Sequence, residues 1–226
     1  MPHTHSHIDG KCYPSVTEII SAAPKPWLEK WKTRNPVWAP KKTALANQIG
    51  TEFHRCVESI MQGKDVKPEI YVKRVTKMLA RFNEWFAVTD VAPYANEMKV
   101  YSRKHKYQGT FDMVAEINGV PMIVDFKSSA KISDDMGLQV AAYAYAYFEM
   151  TGLMLKRGLV VLVTKDKQKI KRRYKTEDGV RTFKRIKIQE HKLDVREFEV
   201  NDEVFAKFLQ LRDEFVAFPC PFLVTK

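Results

Sequence analysis

Two aspartates and a lysine near the middle of the chain have the types and spacing of a metal-assisted hydrolytic site. Asp112 lies in one strand-like run, and Asp125 and Lys127 lie in the next. The Asn118-Gly119 pair between these runs predicts a β-hairpin with a two-residue type I′ turn. With this turn as the loop, Asp112 lies directly opposite Asp125, and Lys127 points to the same face of the sheet.

Two carboxylates that face each other across a strand pair repel by about 0.2 to 1 kcal/mol in solvent and by more when buried. A divalent cation between them reverses the sign of this interaction, and oxygen ligands favour magnesium or manganese over softer metals. Lys127 would then hold or deprotonate the attacking water, because neighbouring cations disfavour its own charge. The alternative is an exposed Asp112 that forms a simple ion pair with Lys127.

The charge of the chain indicates a polyanionic partner. The 226 residues include 38 Lys and Arg against 27 Asp and Glu, which gives a formal net charge of +11. Eleven basic residues and three acids lie between Lys165 and Lys187. A concentrated basic patch is typical of nucleic-acid binding. A solvated run of charges and a surface for another protein's acidic face are the alternatives.

Length and composition fit one folded domain with a full core. With 45% hydrophobic residues the chain is not disordered, and no apolar run approaches the roughly 20 residues that span a bilayer. The N-terminus lacks a secretory signal, and three widely separated cysteines predict neither disulfides nor a zinc or iron–sulfur site. We therefore expect a cytoplasmic protein without a membrane partner, with a flexible tail over 1–12 and one domain over 13–226.

Helical and strand periodicities predict an α/β fold in which helices flank a small mixed β-sheet. The N-terminal part, 13–90, reads as helical, and the sheet with its flanking helices occupies 91–226. Helices are predicted from Ser15, from Pro26, and over 43–62, 68–88, 136–150 and 202–217, and strands over 97–103, 109–117, 120–127, 158–164 and 183–188. Trp27 and Trp31 are interpreted as core residues, with stacking on nucleic-acid bases as the alternative.

Several short motifs accompany the hairpin. In chain order they are Pro14-Ser15-Val16-Thr17 before a tryptophan-bearing helix, Gly50-x-x-x-His54, Gly109-x-x-Asp112, Asp125-Phe126-Lys127 and Gln139-x-x-x-Tyr143. In this combination the chain resembles the PD-(D/E)XK nuclease superfamily, specifically its RecB-like and phage-type exonuclease branch. That branch is also similar to the lambda exonuclease and mitochondrial genome-maintenance exonuclease families. The resemblance implies a restriction-endonuclease-like core, although Phe111 replaces the proline of the superfamily's name and the four-cysteine cluster of some RecB-like members has no counterpart.

The resemblance also implies roles at the catalytic centre. Asp112 and Asp125 would be metal ligands, completed by the Phe126 carbonyl. His54 would hold a second Mg²⁺ or Mn²⁺ ion, and Lys127 would be the catalytic lysine. Without the resemblance, His54 would read as an ordinary histidine on a helix surface.

Further residues are candidates for the substrate side of the site. Gln139 and Tyr143, one helical turn apart, would steady the active site or the substrate. The Lys171-Arg172-Arg173 cluster, predicted in a loop beside the sheet, would track the DNA backbone. Glu97 and Glu58 are further candidate acidic positions.

These features predict a metal-dependent deoxyribonuclease that degrades DNA from its ends by a two-metal mechanism. Its setting would be recombination, repair or the processing of phage or mobile-element DNA in a bacterial or phage-host cytoplasm. A recombination or single-strand-binding protein is a candidate partner besides DNA. The alternatives are a structure-specific or restriction-like endonuclease and a DNA-binding module whose nuclease site has decayed.

Overall fold

The computed structural model describes residues 6–8, 10–69, 72–164, 167–177, 180–190 and 193–215, with the strands at 167–177 and 180–190 described by their backbone. In chain order the elements are β1 (Ser6–Ile8), β2 (Lys11–Tyr13), α1 (Val16–Ala22), α2 (Pro26–Arg34), α3 (Trp38–Met61), α4 (Val72–Val88), β3 (Val91–Ser102), β4 (Tyr107–Ile117), β5 (Val120–Lys127), α5 (Asp134–Thr151), β6 (Arg157–Val163), β7 (Lys167–Glu177), β8 (Val180–Glu190), β9 (Leu193–Glu199) and α6 (Asp202–Glu214). None of the helices in this described part combines the length and apolarity needed to cross a bilayer.

The central sheet of the described chain has five strands in the order β3-β4-β5-β6-β9. β3, β4 and β5 form an antiparallel meander, whereas β5 and β6 are parallel and β6 and β9 antiparallel. The parallel pair requires a crossover, and α5 supplies it. The predicted mixed sheet flanked by helices is therefore confirmed.

Helices cover both faces of this sheet. On one face, α1, α5 and α6 form an apolar cluster with the strands, and its members include Val16, Phe111, Ile123, Val140 and Phe208. On the other face, α3 and α4 form a second cluster, whose members include Phe53, Phe82, Met113, Val124 and Phe126. Burial on both faces explains why β6 reads as a continuous apolar run instead of an alternating one.

The helix α5 lies unusually close to the sheet at Gly158 of β6. A Cβ atom on Gly158 would lie 1.8 Å from Cγ1 of Val140, so only glycine fits at this contact. The sequence therefore fixes where α5 rests on β6, and through it the position of the residues that α5 contributes to the site.

The N-terminal segment differs from the flexible tail that the sequence predicts. Within residues 1–12, the strand at Ser6–Ile8 pairs with the strand at Lys11–Tyr13, while residues 1–5 and 9 lie outside the described chain. Gly10 has a φ of 73° and supplies the tight turn between the strands. The helix predicted from Ser15 is confirmed and begins with a capping box, in which the Ser15 hydroxyl accepts from the Glu18 N–H and the Glu18 carboxylate accepts from the Ser15 N–H.

The short helix α2 begins at Pro26 as predicted, but it buries none of its residues. Trp27 is 69% exposed, so its assignment to the core is wrong. The spacing of Trp27 and Trp31 puts both on one helical face, but among the described elements α2 packs mainly on α3, which leaves Trp27 uncovered.

Candidate active site

The hairpin of β4 and β5 has the predicted turn and register. Its ladder runs from Ile117↔Val120 to Met113↔Val124. Asn118 and Gly119 have φ values of 49° and 80°, the left-handed pair that a type I′ turn requires. The next pair in this register would be Asp112 and Asp125, but the ladder ends before it. The two aspartates are therefore not paired across the strands as predicted.

The carboxylate of Asp112 explains why the ladder stops there. Its Oδ2 accepts the backbone N–H of Phe126 at 2.6 Å, and its Oδ1 lies 3.2 Å from Nδ1 of His54. The side chain thus occupies the place of a backbone partner and links β4, β5 and α3. The backbone of Phe126 therefore lies at the site, where its N–H holds Asp112.

The strand β3 is irregular at the same level of the sheet. Glu97 has a φ of 48°, a conformation that a glutamate adopts rarely and at a cost, and one that clusters at functional sites. Glu97 and Asp112 are both skipped by the β3–β4 ladder, which continues on either side at Asn96↔Met113 and Met98↔Phe111. The regular pairing of β3 with β4 is therefore interrupted at the position of these two acidic residues.

Three possible metal ligands converge at this point. Nδ1 or Nε2 of His54 on α3, a carboxylate oxygen of Glu97 on β3 and one of Asp112 on β4 all lie within 4.8 Å of one another. Carboxylate oxygens suit Mg²⁺ and Mn²⁺, and an imidazole is an additional ligand for Mn²⁺ and other transition metals. The donor set therefore fits a divalent cation.

Asp125 and Lys127 form the second half of the site. Nζ of Lys127 lies 2.6 Å from Oδ2 of Asp125, and Asp125 is only 3% exposed. Lys127 therefore pairs with Asp125. The alternative interpretation, a simple ion pair between Lys127 and an exposed Asp112, is not what the structure shows.

Burial and neighbouring charges shift the pKa values of Asp112, His54 and Asp125. Burial raises the pKa of Asp112, but His54, together with the charge of Lys127 and the Phe126 N–H, outweighs burial and brings that pKa below its usual range. Burial lowers the pKa of His54, but the charge and the hydrogen bond of Asp112 raise it overall. For Asp125, burial and the charge of Asp112 raise the pKa, and Lys127 offsets them only in part.

Glu97 has a strongly raised pKa. Burial, together with the charges of Asp112 and Glu58, raises the pKa of Glu97 to about 7. Partial desolvation and neighbouring carboxylates thus both disfavour the ionised form of this side chain. A divalent cation bound beside it would favour the ionised form.

An open cleft of about 670 Å³ leads to the convergent ligands. Besides His54, Glu97 and Asp112, its walls include Thr17 of α1, the α3 residues Asn47, Thr51, Arg55 and Glu58, and Ser128 after β5. Gly50 belongs to the same wall, and a Cβ there would lie 3.1 Å from Oγ of Ser128. Glycine at this position therefore lets α3 approach the end of β5.

Arg55 is a site residue that sequence reasoning missed. Among the described residues that line the cleft, it is the one side chain with a permanent positive charge. Its Nη2 donates to Oε1 of the buried Glu52 at 3.0 Å, which holds the guanidinium at the cleft wall. The Glu52-x-x-Arg55 spacing on a helix was the available signal.

Gln139 and Tyr143 lie beneath the site. Nε2 of Gln139 donates to the Tyr143 hydroxyl at 2.9 Å, and Tyr143 is 2% exposed. Burial raises the pKa of Tyr143, as does the nearby charge of Asp125. A Cβ on Gly109 would lie 2.5 Å from Cε1 of Tyr143, so this glycine makes room for the ring. Of the two predicted roles, this burial favours steadying the site over contacting substrate.

The basic cluster Lys171-Arg172-Arg173 lies on β7, so its predicted placement in a loop is wrong. β7 pairs with β8 as a separate two-stranded sheet, and this hairpin is inserted between the neighbouring strands β6 and β9. The cluster opposes Ile186, Arg185 and Lys184 in the ladder. The high density of charge in this segment suggested a loop, but the segment forms a strand because it pairs with β8. Contact with DNA stays a prediction.

Residues 68–220 match the family model of the PD-(D/E)XK nuclease superfamily. The chain belongs to this superfamily. The matched segment contains Asp112, Asp125 and Lys127, while His54 precedes it. The mixed sheet with helices on both faces is consistent with the restriction-endonuclease-like fold of PD-(D/E)XK nucleases, as the motifs implied.

Two curated relatives are each named mitochondrial genome maintenance exonuclease 1. The Mus musculus protein is 28% identical, over 68% of this chain and 50% of its own length, and the Xenopus tropicalis protein is 29% identical, over 71% and 51%. The chain thus spans about half the length of the curated relatives it matches. Among solved structures, the crystal structure of SSO0001 aligns over 92% of this chain and 77% of that chain, at 14% identity and a TM-score of 0.42. The predicted PD-(D/E)XK membership and the likeness to mitochondrial genome-maintenance exonucleases are confirmed.

Proposed function

We propose that this PD-(D/E)XK nuclease is a divalent-metal-dependent DNA exonuclease. The observation that carries the proposal is the convergence of His54, Glu97 and Asp112 beside the ion pair of Asp125 and Lys127. The names of the curated relatives favour an exonuclease over an endonuclease. We place the enzyme in recombination, repair or phage-type DNA processing, with a recombination or single-strand-binding protein as its partner.

We assign different roles in phosphodiester hydrolysis to the side chains of the site. His54, Asp112 and Asp125, with the Phe126 carbonyl, would hold Mg²⁺ or Mn²⁺, which stabilises the charge that develops on the phosphate oxygens. In the metal-free protein Asp125 orients the Lys127 ammonium. A bound cation would take over the charge of Asp125 and favour the neutral Lys127 amine, which would hold the attacking water and take its proton. Asp112 in turn orients the His54 ring through Nδ1. The presence of every member of this set supports an active enzyme over a decayed DNA-binding module.

Digestion of end-labelled linear DNA and of closed circular duplex, in parallel, tests the proposal. We expect degradation of linear DNA with Mg²⁺ or Mn²⁺, none with excess chelator, and none with Ca²⁺, whose loose coordination does not fix the reacting geometry. Closed circles should be largely spared. Full activity in chelator would contradict the metal mechanism, and rapid nicking of closed circles would favour the endonuclease.

Replacing Lys171, Arg172 and Arg173 together by alanine should weaken DNA binding to a similar extent for all sequences. Each lost contact to a duplex phosphate should reduce the slope of log affinity against log salt by about 0.9. Cleavage at saturating DNA should change little, because the cluster lies on the β7–β8 sheet and the site residues lie on the central sheet and on α3.

Filter binding or fluorescence anisotropy over a series of salt concentrations measures this slope. A matched control removes three exposed lysines outside both the hairpin and the cleft: Lys104, Lys106 and Lys156. An unchanged slope in the hairpin variant, or an equal change in the control, would mean that the cluster makes no specific phosphate contacts.

A further inference from the structure

The helix α3 presents two rows of side chains to the cleft. Residues four positions apart lie above one another on a helix, so the seven α3 residues that line the cleft fall into two adjacent rows. The first row contains the histidine of the metal site: Ala46, Gly50, His54 and Glu58. The second row contains neither histidine nor acid, and we call it the polar row: Asn47, Thr51 and Arg55.

Arg55 is held in place by a buried carboxylate. Its Nη2 donates to Oε1 of Glu52 at 3.0 Å, and Glu52 is only 7% exposed. The same Oε1 accepts the backbone N–H of Glu69 at 2.8 Å, so the segment before α4 fixes Glu52 from a second side. An arginine that is already oriented in this way loses little further freedom when it binds a ligand.

Most of the hydrogen-bonding capacity of Arg55 is unused. A guanidinium has five N–H donors. The contacts of Arg55 with Glu52, with Sγ of Cys56 and with the Glu69 carboxylate all involve Nη2, and Nε is buried without a partner within the described chain. The side chain is nevertheless 41% exposed and lies at the cleft wall. A guanidinium in this state fits a phosphate, whose oxygens accept two parallel N–H bonds.

The position of Arg55 relative to His54 indicates which phosphate it meets. Consecutive residues on a helix are about 100° apart, so Arg55 lies beside the ligand group of His54, Glu97 and Asp112 and not within it. A cation bound by that group would hold the scissile phosphate, whereas Arg55 lies one row away on the same wall. The carboxylates that line the cleft repel DNA, which makes a fixed cation at this wall necessary.

We propose that Arg55 binds a phosphate next to the scissile phosphate and thereby fixes the register of the DNA strand at the metal site. The Thr51 hydroxyl, one helical turn away in the polar row, is a second donor to this phosphate. Glu52 is a positioning residue, because it acts through Arg55. The inference rests on the proposed function and adds to it a substrate contact outside the metal site. A contact to phosphate is independent of the base sequence.

Single methylphosphonate substitutions test this inference, because each removes the charge of one phosphate. A linear oligonucleotide carries the methylphosphonate at one linkage, which is moved stepwise away from the linkage that is cut. Single-turnover cleavage with Mg²⁺ is measured for the wild type, Arg55→Ala and Arg55→Lys. Binding of the same oligonucleotides in Ca²⁺ is a second measurement that requires no cleavage.

The chain offers a matched control for the loss of an arginine paired with a glutamate. Arg157 lies 3.1 Å from Glu197 on the exposed surface, and neither residue lines the cleft. Arg157→Ala therefore removes the same kind of ion pair away from the site. Melting temperatures verify that each variant is folded.

On unmodified DNA, Arg55→Ala should lower kcat/KM by about 10- to 150-fold, the usual effect of losing a hydrogen bond to a charged group. In the wild type, a methylphosphonate at the linkage that flanks the cut should have an effect of similar size. In Arg55→Ala it should have little further effect, because the partner of that phosphate is already absent. Arg55→Lys should recover part of the rate, since lysine keeps the charge but not the two parallel donors. Arg157→Ala should behave like the wild type.

Two variants of Glu52 test its positioning role. Glu52→Gln should retain the methylphosphonate effect at the flanking linkage, because the amide oxygen can still accept from Nη2 of Arg55. Glu52→Asp should lose most of this effect, because its shorter side chain withdraws the acceptor from Arg55. A full effect in Glu52→Asp would remove Glu52 from this role.

Equal sensitivity of Arg55→Ala and the wild type to the methylphosphonate at every position would overturn the inference. A lower melting temperature of Arg55→Ala with unchanged kcat/KM would also overturn it, and would make Arg55 a structural link between α3 and the segment before α4.

These failures are separate from a failure of the proposed function. If Arg55→Ala behaves like the wild type while Asp125→Asn abolishes metal-dependent cleavage, the nuclease assignment stands and only the phosphate contact is wrong. If the wild type cleaves no DNA, the proposed function is wrong, and the binding measured in Ca²⁺ still decides whether Arg55 contacts one particular phosphate.

Discussion

Asp125→Asn is expected to reduce DNA cleavage by at least about 1000-fold, because loss of a metal ligand removes several kcal/mol of transition-state stabilisation. The melting temperature of the metal-free protein should barely change. Asparagine keeps the size of the side chain and its oxygen can still accept from Lys127, while the repulsion between the buried Asp125 and Asp112 carboxylates disappears.

Cleavage rates with saturating Mg²⁺ and metal-free thermal melts check this prediction together. Asp135→Asn at the start of α5 is the control, because it makes the same chemical change at an aspartate outside the cleft. A large drop in the metal-free melting temperature of Asp125→Asn would indicate that the pair with Lys127 is mainly structural. Retained cleavage would remove Asp125 from the metal site.

Lys127→Ala should lower turnover by about 10²- to 10⁴-fold, the usual contribution of a proton-transferring group. DNA affinity should be nearly unchanged, since one charge among 38 basic residues contributes little to binding. Unlike Asp125→Asn, this change should also destabilise the metal-free protein, by about 3 kcal/mol, because it leaves the buried Asp125 carboxylate without its cation.

The comparison of kcat, DNA affinity and metal-free melting temperature distinguishes the roles of Lys127. Lys131→Ala, four residues further along at an exposed position, is the matched control for loss of a positive charge. If affinity and rate fall by the same factor, Lys127 is a phosphate contact and not a catalytic group. If the stability of the metal-free protein does not change, the ion pair of Lys127 with Asp125 contributes little to the free energy of unfolding.

The hairpin that carries Asp112, Asp125 and Lys127 could be predicted because its information is local. Asn118 and Gly119 accept the positive φ values of a type I′ turn, and this turn sets the register of each pair that follows. The five ladder pairs from Ile117↔Val120 to Met113↔Val124 therefore follow from two residues of sequence. The mixed sheet was predictable for a similar reason, since each strand and helix carries its own periodicity.

The point where the ladder ends could not be predicted, because it depends on tertiary contacts. The Asp112 carboxylate accepts from the Phe126 N–H through one oxygen and contacts His54 on α3 through the other, so its placement involves a residue far away in the sequence. No sequence rule places a glutamate such as Glu97 at a positive φ. These residues depart from local preference at the site itself, which is where such departures are expected.

The strands β7 and β9 were missed because their residues favour strands weakly and only a partner stabilises them. β9 is an edge strand with a largely exposed, charged sequence, which is typical of an edge that avoids further pairing. For Trp27 the error was the reverse. Its helical spacing with Trp31 predicted burial, but no described element covers it.

The contact between His54 and Asp112 has a consequence for how the enzyme matures. The β4–β5 hairpin is local and can form early, whereas His54 and Asp112 are 58 residues apart in the chain and meet only after α3 has docked on the sheet. We therefore expect the histidine to join the carboxylates late in folding. Under the proposed function, a partly folded chain that still carries the acidic hairpin would lack one metal ligand and would not cut DNA.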